Sequence, residues 1–282
     1  MARKHQTHSP EKTLPTHTRT AMSDVTLNSC GDLVTMYIDG AESSALDLSD
    51  PTHLEFEYMQ HILCAVSAVL PEVSPLRALH LGAAGCALAR AIDAMWQARQ
   101  LAIEIDPELA QQVRQWFDLP PAPRLRIRAQ DARITLDTNS GSWHVIIRDT
   151  FHNGQVPQHL RTIQAHAHAA RLLTEDGVYC VNIADRNEHN GIAPALPEIR
   201  AIGEVFPHLL AIADPAILKN RRHGNLVVIA AHRPLPHDAI QTAIRRCPLP
   251  ARILKDAELR RRAEHCELLT DQAIGWPFPS AQ

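Results

Sequence analysis

Between residues 77 and 185, short apolar runs alternate with stretches that have the periodicity of amphipathic helices. Strands that alternate with helices along a chain indicate a parallel sheet whose faces are covered by the helices. This feature limits the chain to α/β architectures. The predicted strands are 77–82, 100–106, 124–131, 143–149 and 178–185, and the predicted helices are 86–98, 107–117 and 159–173.

The last two predicted strands of this region are connected differently. Two apolar runs, 208–215 and 225–231, are separated by nine residues, 216–224. That connection is too short for a comfortable crossover helix, so the two strands should pair antiparallel. A parallel sheet that ends in an antiparallel hairpin is typical of class I methyltransferases and unusual for a dinucleotide-binding domain. We therefore predict an α/β fold with a Rossmann-like class I methyltransferase sheet.

A small β unit should precede this sheet. Apolar and polar residues alternate over 34–38 and lead into Asp39-Gly40, which is a hairpin-turn signal. The predicted return strand is followed by Asp50-Pro51 and a helical stretch. The predicted division of the chain is a disordered tail at 1–26, the β unit and helix at 27–72, the Rossmann-like domain at 73–235 and a helical tail at 236–282. The first segment is assigned as disordered because it has almost nothing apolar to bury.

Composition argues against several classes of partner. A formal net charge of −3 provides no basic field for a nucleic-acid backbone, and 4% aromatic residues provide no stacking platform for single strands. No apolar run approaches the roughly 20 residues of a membrane helix, and the first residues lack the apolar core of a secretory signal. The six cysteines form no C-x-x-C pair and should be reduced thiols. We expect a cytoplasmic protein that binds neither nucleic acid nor membrane.

Candidate binding residues lie where the predicted strands end. Ligands of open α/β sheets bind beyond the carboxyl ends of the strands, and this edge carries Gly82, Gly85, Glu104, Asp131 and Asp149. Glycines let a ligand approach the backbone, and a carboxylate 22 residues after Gly82 can accept both ribose hydroxyls. Asp131 could accept from an adenine amino group. Each feature alone is equally consistent with packing or a solvated charge, but together they predict an adenosine-type ligand.

The segments that carry these residues resemble the spermidine synthase (polyamine aminopropyltransferase) family. The resemblance runs from about Asp32 to His232, with its strongest motifs at 81–85, 103–109, 130–132 and 144–149. Upstream, 37–40 and 54–62 resemble the family's N-terminal strand and the entry to its active-site helix.

The resemblance implies a function and a role for each residue. Decarboxylated S-adenosylmethionine would be the donor, with its ribose on Glu104 and its adenine on Asp131, and a diamine such as putrescine would accept the aminopropyl group. Tyr58 would lie against the reacting groups, and Asp149 would contact the attacking amine. This amine must lose a proton before it attacks, which a carboxylate can accept. The resemblance also implies a homodimer, with the donor as co-substrate and no tightly bound cofactor.

Several positions depart from the family pattern. Ala84 stands where the family's loop has an aspartate, and Cys86 replaces a glycine. His152 stands where a second aspartate usually follows Asp149, and Glu42 falls where the family has a glutamine. Glu42 and His152 are therefore candidate substrate-binding residues. The histidines have no ligand spacing, so we predict no metal site.

The departures leave two other functions open. An S-adenosylmethionine-dependent methyltransferase would use the same Glu104 and Asp131 sites, and the loss of an acidic residue at Ala84 suits a donor that keeps its carboxylate. A non-catalytic protein that retained the fold would also accumulate such changes.

Overall fold

The computed structural model describes residues 14–185 and 191–277. Its first unit is a four-stranded antiparallel sheet in sequential order. The strands are β1 (His17–Arg19), β2 (Asp24–Cys30), β3 (Leu33–Ile38) and β4 (Ala41–Asp47). Asp39 and Gly40 both have positive φ at the β3–β4 turn, as the Asp-Gly hairpin signal predicts.

The second unit is an eight-stranded mixed sheet with the order β12-β10-β11-β9-β8-β5-β6-β7. Strands β5 to β9 are parallel, whereas β11 runs antiparallel to both β9 and β10. This arrangement confirms the predicted fold class, including the antiparallel hairpin at the end. The strands are β5 (Arg77–Leu81), β6 (Arg99–Glu104), β7 (Leu125–Ala129), β8 (Trp143–Arg148), β9 (Leu173–Asp185), β10 (His208–Ala213), β11 (Gly224–Ala231) and β12 (Arg252–Lys255).

Several helices begin at caps that the sequence supplies. Asp106 accepts from the backbone amides of Glu108 and Leu109, with Pro107 at the first helical position. No helix within the described ranges is long and apolar enough to cross a membrane. The helices are α1 (Glu57–Val69), α2 (Ala87–Trp96), α3 (Pro107–Trp116), α4 (Ala132–Thr138), α5 (Ile163–Leu172), α6 (Leu196–Val205), α7 (Pro215–Leu218), α8 (His237–Ile244), α9 (Asp256–Ala263) and α10 (Asp271–Ile274), with 3₁₀ turns at Gln158–Leu160 and Ala193–Ala195.

The large sheet separates two apolar cores. Along β9, Val178 and Cys180 face one core, while Tyr179 and Val181 face the other. The first core also contains α1 and the inner face of the N-terminal sheet, so the two units pack as one body. Burial on both faces explains why the central strands read as continuous apolar runs.

The structure differs from the prediction of a disordered tail at 1–26. Residues 1–13 lie outside the described residues, but β1 and the start of β2 fall within 14–26. These strands satisfy their backbone by pairing, and the buried Thr20 hydroxyl donates to Asp106 at 2.5 Å. Composition alone did not predict that residues 14–26 are ordered, because main-chain pairing and one buried polar contact need few apolar side chains.

The C-terminal segment also differs from the helical tail predicted at 236–282. Helices α8, α9 and α10 lie in it, but β12 adds an antiparallel strand to the edge of the large sheet beside β10. Leu254 of this strand is fully buried. Four residues are too few to show a strand period, so pairing with β10 decides the conformation. Residues 278–282 lie outside the described part of the chain.

Candidate active site

A cavity of about 1350 Å³ lies between the carboxyl ends of the parallel strands and the N-terminal sheet. The loops after β5, β6, β7 and β8 form its floor, and β4 and the start of α1 cover it. This is the edge at which open α/β sheets bind ligands. Of the eight predicted site residues, seven line the cavity: Glu42, Tyr58, Gly82, Glu104, Asp131, Asp149 and His152.

The remaining predicted residue, Gly85, is buried and is not one of the residues that line the cavity. A Cβ atom there would lie 2.8 Å from both Leu46 Cδ1 and Ser44 Oγ of β4. Gly85 therefore allows the loop after β5 to pack beneath the N-terminal sheet. The structure shows this packing contact, and a role of Gly85 in ligand binding stays a prediction.

Gly82 brings the ends of two neighbouring strands together. Its φ is +96°, and a Cβ atom there would lie 2.1 Å from the carbonyl oxygen of Asp149. The Asp149 amide in turn donates to Leu81 O at 2.8 Å. Only glycine fits this approach, so Gly82 sets the position of Asp149 relative to the loop after β5.

Glu104 is held against that loop by backbone amides. Its Oε2 accepts from Ala84 N at 3.0 Å and its Oε1 accepts from Asp106 N at 3.2 Å. Burial raises the pKa of the Glu104 carboxyl, and these hydrogen bonds oppose that shift. A carboxylate whose orientation is fixed and which keeps free lone pairs can accept from two vicinal hydroxyls.

Apolar and polar groups meet next to Glu104. Ile105 follows it directly, is 53% exposed, and lines the cavity. An exposed aliphatic side chain at this position provides a surface for the face of a planar ring. Asp131 follows β7, which is the strand next to β6, and it lines the cavity and caps α4. Together they can hold a flat heterocycle that carries an amino group.

Asp149 lies half-buried on the floor and is held from two sides. Tyr58 Oη donates to its Oδ2 at 2.8 Å, and Asn182 Nδ2 donates to its Oδ1 at 2.8 Å. Asn225 Nδ2 donates to Asn182 Oδ1 at 3.0 Å, which fixes the amide of Asn182 in this orientation. Both predicted catalytic residues are thus in direct contact, and two asparagines that sequence analysis missed complete the group.

The surroundings of Asp149 suit proton transfer. Burial raises the pKa of its carboxyl above the ordinary value, while the hydrogen bonds from Asn182 and Tyr58 oppose the shift. A raised pKa makes the ionised carboxylate a stronger proton acceptor. The two donors keep the carboxylate oriented through this change.

The charge of the lining is strongly asymmetric. Among the described residues, one lining side chain, Arg222, is a lysine or arginine, and it is already bound to Glu57 at 2.8 Å and to Asp214 at 2.8 Å. The cavity therefore favours cationic ligands. Its acidic lining residues are Asp39, Glu42, Glu55, Glu57, Glu104, Asp131 and Asp149.

Comparison with known proteins identifies the family, although no protein-family model matches the chain. A probable spermidine synthase from Corynebacterium glutamicum is 31% identical, with a TM-score of 0.85 over 96% of this chain and 99% of that one. The chain belongs to the spermidine synthase family.

Two further comparisons are with more distant proteins. A polyamine aminopropyltransferase of Vibrio vulnificus is 25% identical over 129 residues, which is 44% of this chain and 43% of that protein. The match thus spans less than half the length of that curated relative. A spermidine synthase in complex with the transition state analogue AdoDATO has a TM-score of 0.61 at 16% identity, over 88% of this chain and 87% of that one. This likeness concerns the fold alone.

The two residues predicted for substrate binding lie at the rim of the cavity. Glu42 is exposed and accepts from Tyr37 Oη at 3.3 Å. His152 is exposed in a tight turn, where its amide and carbonyl pair with Gln155. In the described residues, no three histidine, cysteine, aspartate or glutamate side chains form a group that could hold a metal ion. Asp149 lies inside the cavity, whereas Glu42 lies at its rim.

Proposed function

We propose that this member of the spermidine synthase family transfers an aminopropyl group from decarboxylated S-adenosylmethionine to a diamine such as putrescine. One observation carries the proposal: Asp149, held by Tyr58 and Asn182, lies on the floor of a cavity whose charged lining is almost entirely acidic. Both proposed substrates are cations, and neither carries a carboxylate that would need a basic partner.

The donor is proposed to bind along the loops after β5, β6 and β7. Glu104 would accept the ribose hydroxyls, Ile105 would contact the face of the adenine and Asp131 would accept from its amino group. The sulfonium and aminopropyl groups would then extend past Gly82 toward Asp149. The protein needs no tightly bound cofactor for this reaction, because the leaving thioether comes from the donor itself.

The transfer is a displacement in which Asp149 prepares the nucleophile. Asp149 takes a proton from the acceptor ammonium and orients the resulting neutral amine. The nitrogen lone pair forms a bond to the carbon next to the sulfonium, and the pair of the broken C–S bond returns to sulfur. The products are a secondary ammonium and a neutral thioether, methylthioadenosine. Asp149 then releases its proton to solvent.

The choice of donor tests this function directly. We expect calorimetric titration to show tighter binding of decarboxylated S-adenosylmethionine than of S-adenosylmethionine. The carboxylate of S-adenosylmethionine would enter an acidic cavity, which disfavours its binding. Incubation of the decarboxylated donor with putrescine should then yield methylthioadenosine and spermidine in equal amounts. Tighter binding of the intact donor would point to methyl transfer, and binding of neither would refute a donor site.

Replacing Tyr58 with phenylalanine should shift the pH dependence of the transfer. The Tyr58 hydroxyl favours the ionised form of Asp149, so its loss should raise the pKa of that carboxyl further. Because Asp149 acts as a base only when ionised, the acid limb of the kcat/KM profile should move to higher pH. At neutral pH, kcat/KM should fall roughly tenfold, as expected for the loss of a hydrogen bond to a charged group.

Tyr37→Phe is the matched control for this measurement. Tyr37 also donates to a carboxylate, Glu42, but at the rim rather than on the floor. Its removal should leave the acid limb where it is in the wild-type protein. An unshifted limb in Tyr58→Phe would contradict the proposed contact between Tyr58 and the base.

We further propose a cytoplasmic homodimer that associates through the N-terminal sheet and binds no nucleic acid. Met22 and Leu48, at 47% and 45% exposure, are large apolar side chains of this unit that a partner could cover. All six cysteines are free thiols, as a reducing compartment would keep them. Light scattering should give twice the chain mass, and a monomer at micromolar concentration would contradict the dimer.

A further inference from the structure

Asp131 has little acceptor capacity left for a ligand. Its Oδ1 accepts from Arg133 N at 2.6 Å and from Ile134 N at 3.4 Å as the cap of α4. Its Oδ2 lies 3.1 Å from His159 Nε2. Burial works against ionisation of Asp131, but His159 and the backbone amides hold the pKa of its carboxyl below the ordinary value. A carboxylate has about four acceptor positions, so essentially one, on Oδ2, remains directed at the cavity.

The orientation of His159 decides where that remaining position points. His159 lies in the 3₁₀ turn at Gln158–Leu160 and lines the cavity. Behind it, its ring stacks on Trp276, with centroids 4.3 Å apart and planes 8° apart. Stacking on an indole fixes the plane of the imidazole, and with it the direction from which Nε2 reaches Asp131.

Trp276 is itself anchored by a buried ion pair. Arg133, on α4, contacts Asp271 of α10 through two nitrogens at 2.8 and 2.5 Å, and both side chains are nearly inaccessible. Thr162 Oγ1 donates to the same carboxylate at 2.6 Å. Trp276 N donates to Asp271 O at 3.0 Å, and the Arg133 guanidinium lies 5.7 Å from the indole centroid. The C-terminal segment is therefore bound to the helix that Asp131 caps.

We propose that Trp276 is a positioning residue that sets the base specificity of the nucleoside site through His159. In this assignment, which rests on the proposed function, Trp276 holds His159 so that it satisfies one side of Asp131 Oδ2. The free lone pair then accepts from the 6-amino group of adenine. A 6-oxo purine would present its O6, an acceptor, to the free lone pair of Asp131 Oδ2, so no hydrogen bond could form between these two oxygens.

The test compares two nucleosides by calorimetry: 5′-methylthioadenosine and its 6-oxo counterpart, 5′-methylthioinosine. The wild-type protein should prefer the amino form by at least about tenfold, because the oxo form leaves buried acceptors unpaired. Trp276→Ala should weaken binding of the amino form about tenfold and of the oxo form less than twofold. Turnover at saturating donor should change less than twofold, so the effect should appear in KM. Trp276→Phe keeps a stacking ring and should restore the preference.

Two variants protect this test from a folding artefact. Trp96→Ala removes another half-buried tryptophan, at the far end of α2, and should keep the wild-type preference. His159→Phe keeps a ring against Trp276 but removes the donor to Asp131. It should therefore reduce the preference for the amino form over the oxo form, as Trp276→Ala does.

The outcomes separate this assignment from the proposed function. An equal loss of affinity for both nucleosides in Trp276→Ala would overturn the role of Trp276, and so would an unchanged preference for the amino form in His159→Phe. Neither result would contradict the donor site itself. A wild-type protein that binds neither nucleoside would overturn both. A wild-type protein that prefers the amino form through Trp276 but transfers no aminopropyl group would refute the proposed function alone.

Discussion

Replacing Asp149 with asparagine should reduce aminopropyl transfer by on the order of 10³-fold, within the range that general acid–base groups contribute. Asparagine has the same shape and can still accept from Asn182, but its amide cannot take the proton from the acceptor ammonium. The amine would stay protonated and would lose the carboxylate that is proposed to accept its proton. The decrease should lie in kcat, measured by methylthioadenosine release at saturating donor.

Donor binding separates a catalytic role of Asp149 from a structural one. The nucleoside is proposed to lie on Glu104, Ile105 and Asp131, which do not contact the Asp149 side chain. Methylthioadenosine should therefore bind Asp149→Asn with an affinity within about threefold of wild type, since no proposed hydrogen bond is lost. Full transfer activity in Asp149→Asn would refute its assignment as the base, and loss of nucleoside binding would indicate a structural role.

Asn182→Ala tests the support of Asp149 in the same assay. The amide of Asn182 favours the ionised carboxylate, and Asn225 orients that amide. Loss of the Asn182 amide should raise the pKa of Asp149, as in Tyr58→Phe. It should also leave a small gap on the cavity floor. The acid limb should move in the same direction in both variants, because both remove a donor to one carboxylate.

The sequence allowed Glu104, Asp131 and Asp149 to be identified because each lies at, or just after, the carboxyl end of a parallel strand. Parallel strands end at one edge of a sheet, so their positions in the chain are enough to bring these carboxylates together. Tyr58 required more, because it lies on α1 outside the sheet. Its assignment came from the resemblance to a family.

The asparagines of the floor had no such signal. Asn182 lies within β9, and its contact with Asp149 depends on the register that pairs Arg148 with Val181. Asn225 meets Asn182 across an antiparallel pair in which Val227 is the direct partner of Asn182. Register follows from the packing of whole strands, which a single sequence does not specify at this level.

The two chain ends were mispredicted for a related physical reason. The first strand and β12 are each four residues or fewer, and their sequences have no usable period. Both exist because a neighbouring strand offers unpaired backbone groups. The contact of Trp276 was missed for a similar reason, since nothing in a Pro-rich tail indicates that one of its residues stacks on a histidine of the 3₁₀ turn at Gln158–Leu160.

Replacing Gly82 with alanine should damage both stability and activity. The residue has φ of +96°, and the new Cβ would lie 2.1 Å from the Asp149 carbonyl oxygen, a backbone atom that cannot rotate away. Backbone strain and overpacking each cost ~1–3 kcal/mol, so the free energy of unfolding should fall by ~2–6 kcal/mol. The clash can be relieved only if the end of β8 moves, and this movement would carry Asp149 away from Tyr58 and Asn182. Urea unfolding and transfer assays measure the two effects.

Gly85→Ala is the matched control, three residues further along the same loop. Its φ is not positive, and the new methyl group would meet the ends of the Leu46 and Ser44 side chains at 2.8 Å. Leu46 can change rotamer, so the cost should be limited to overpacking, ~1–3 kcal/mol, with transfer activity largely kept in the folded protein. The difference between the variants isolates the backbone contact between Gly82 and Asp149. Equal losses of stability and activity in both would mean that the loop tolerates no added volume, and that the position of Asp149 does not depend on Gly82.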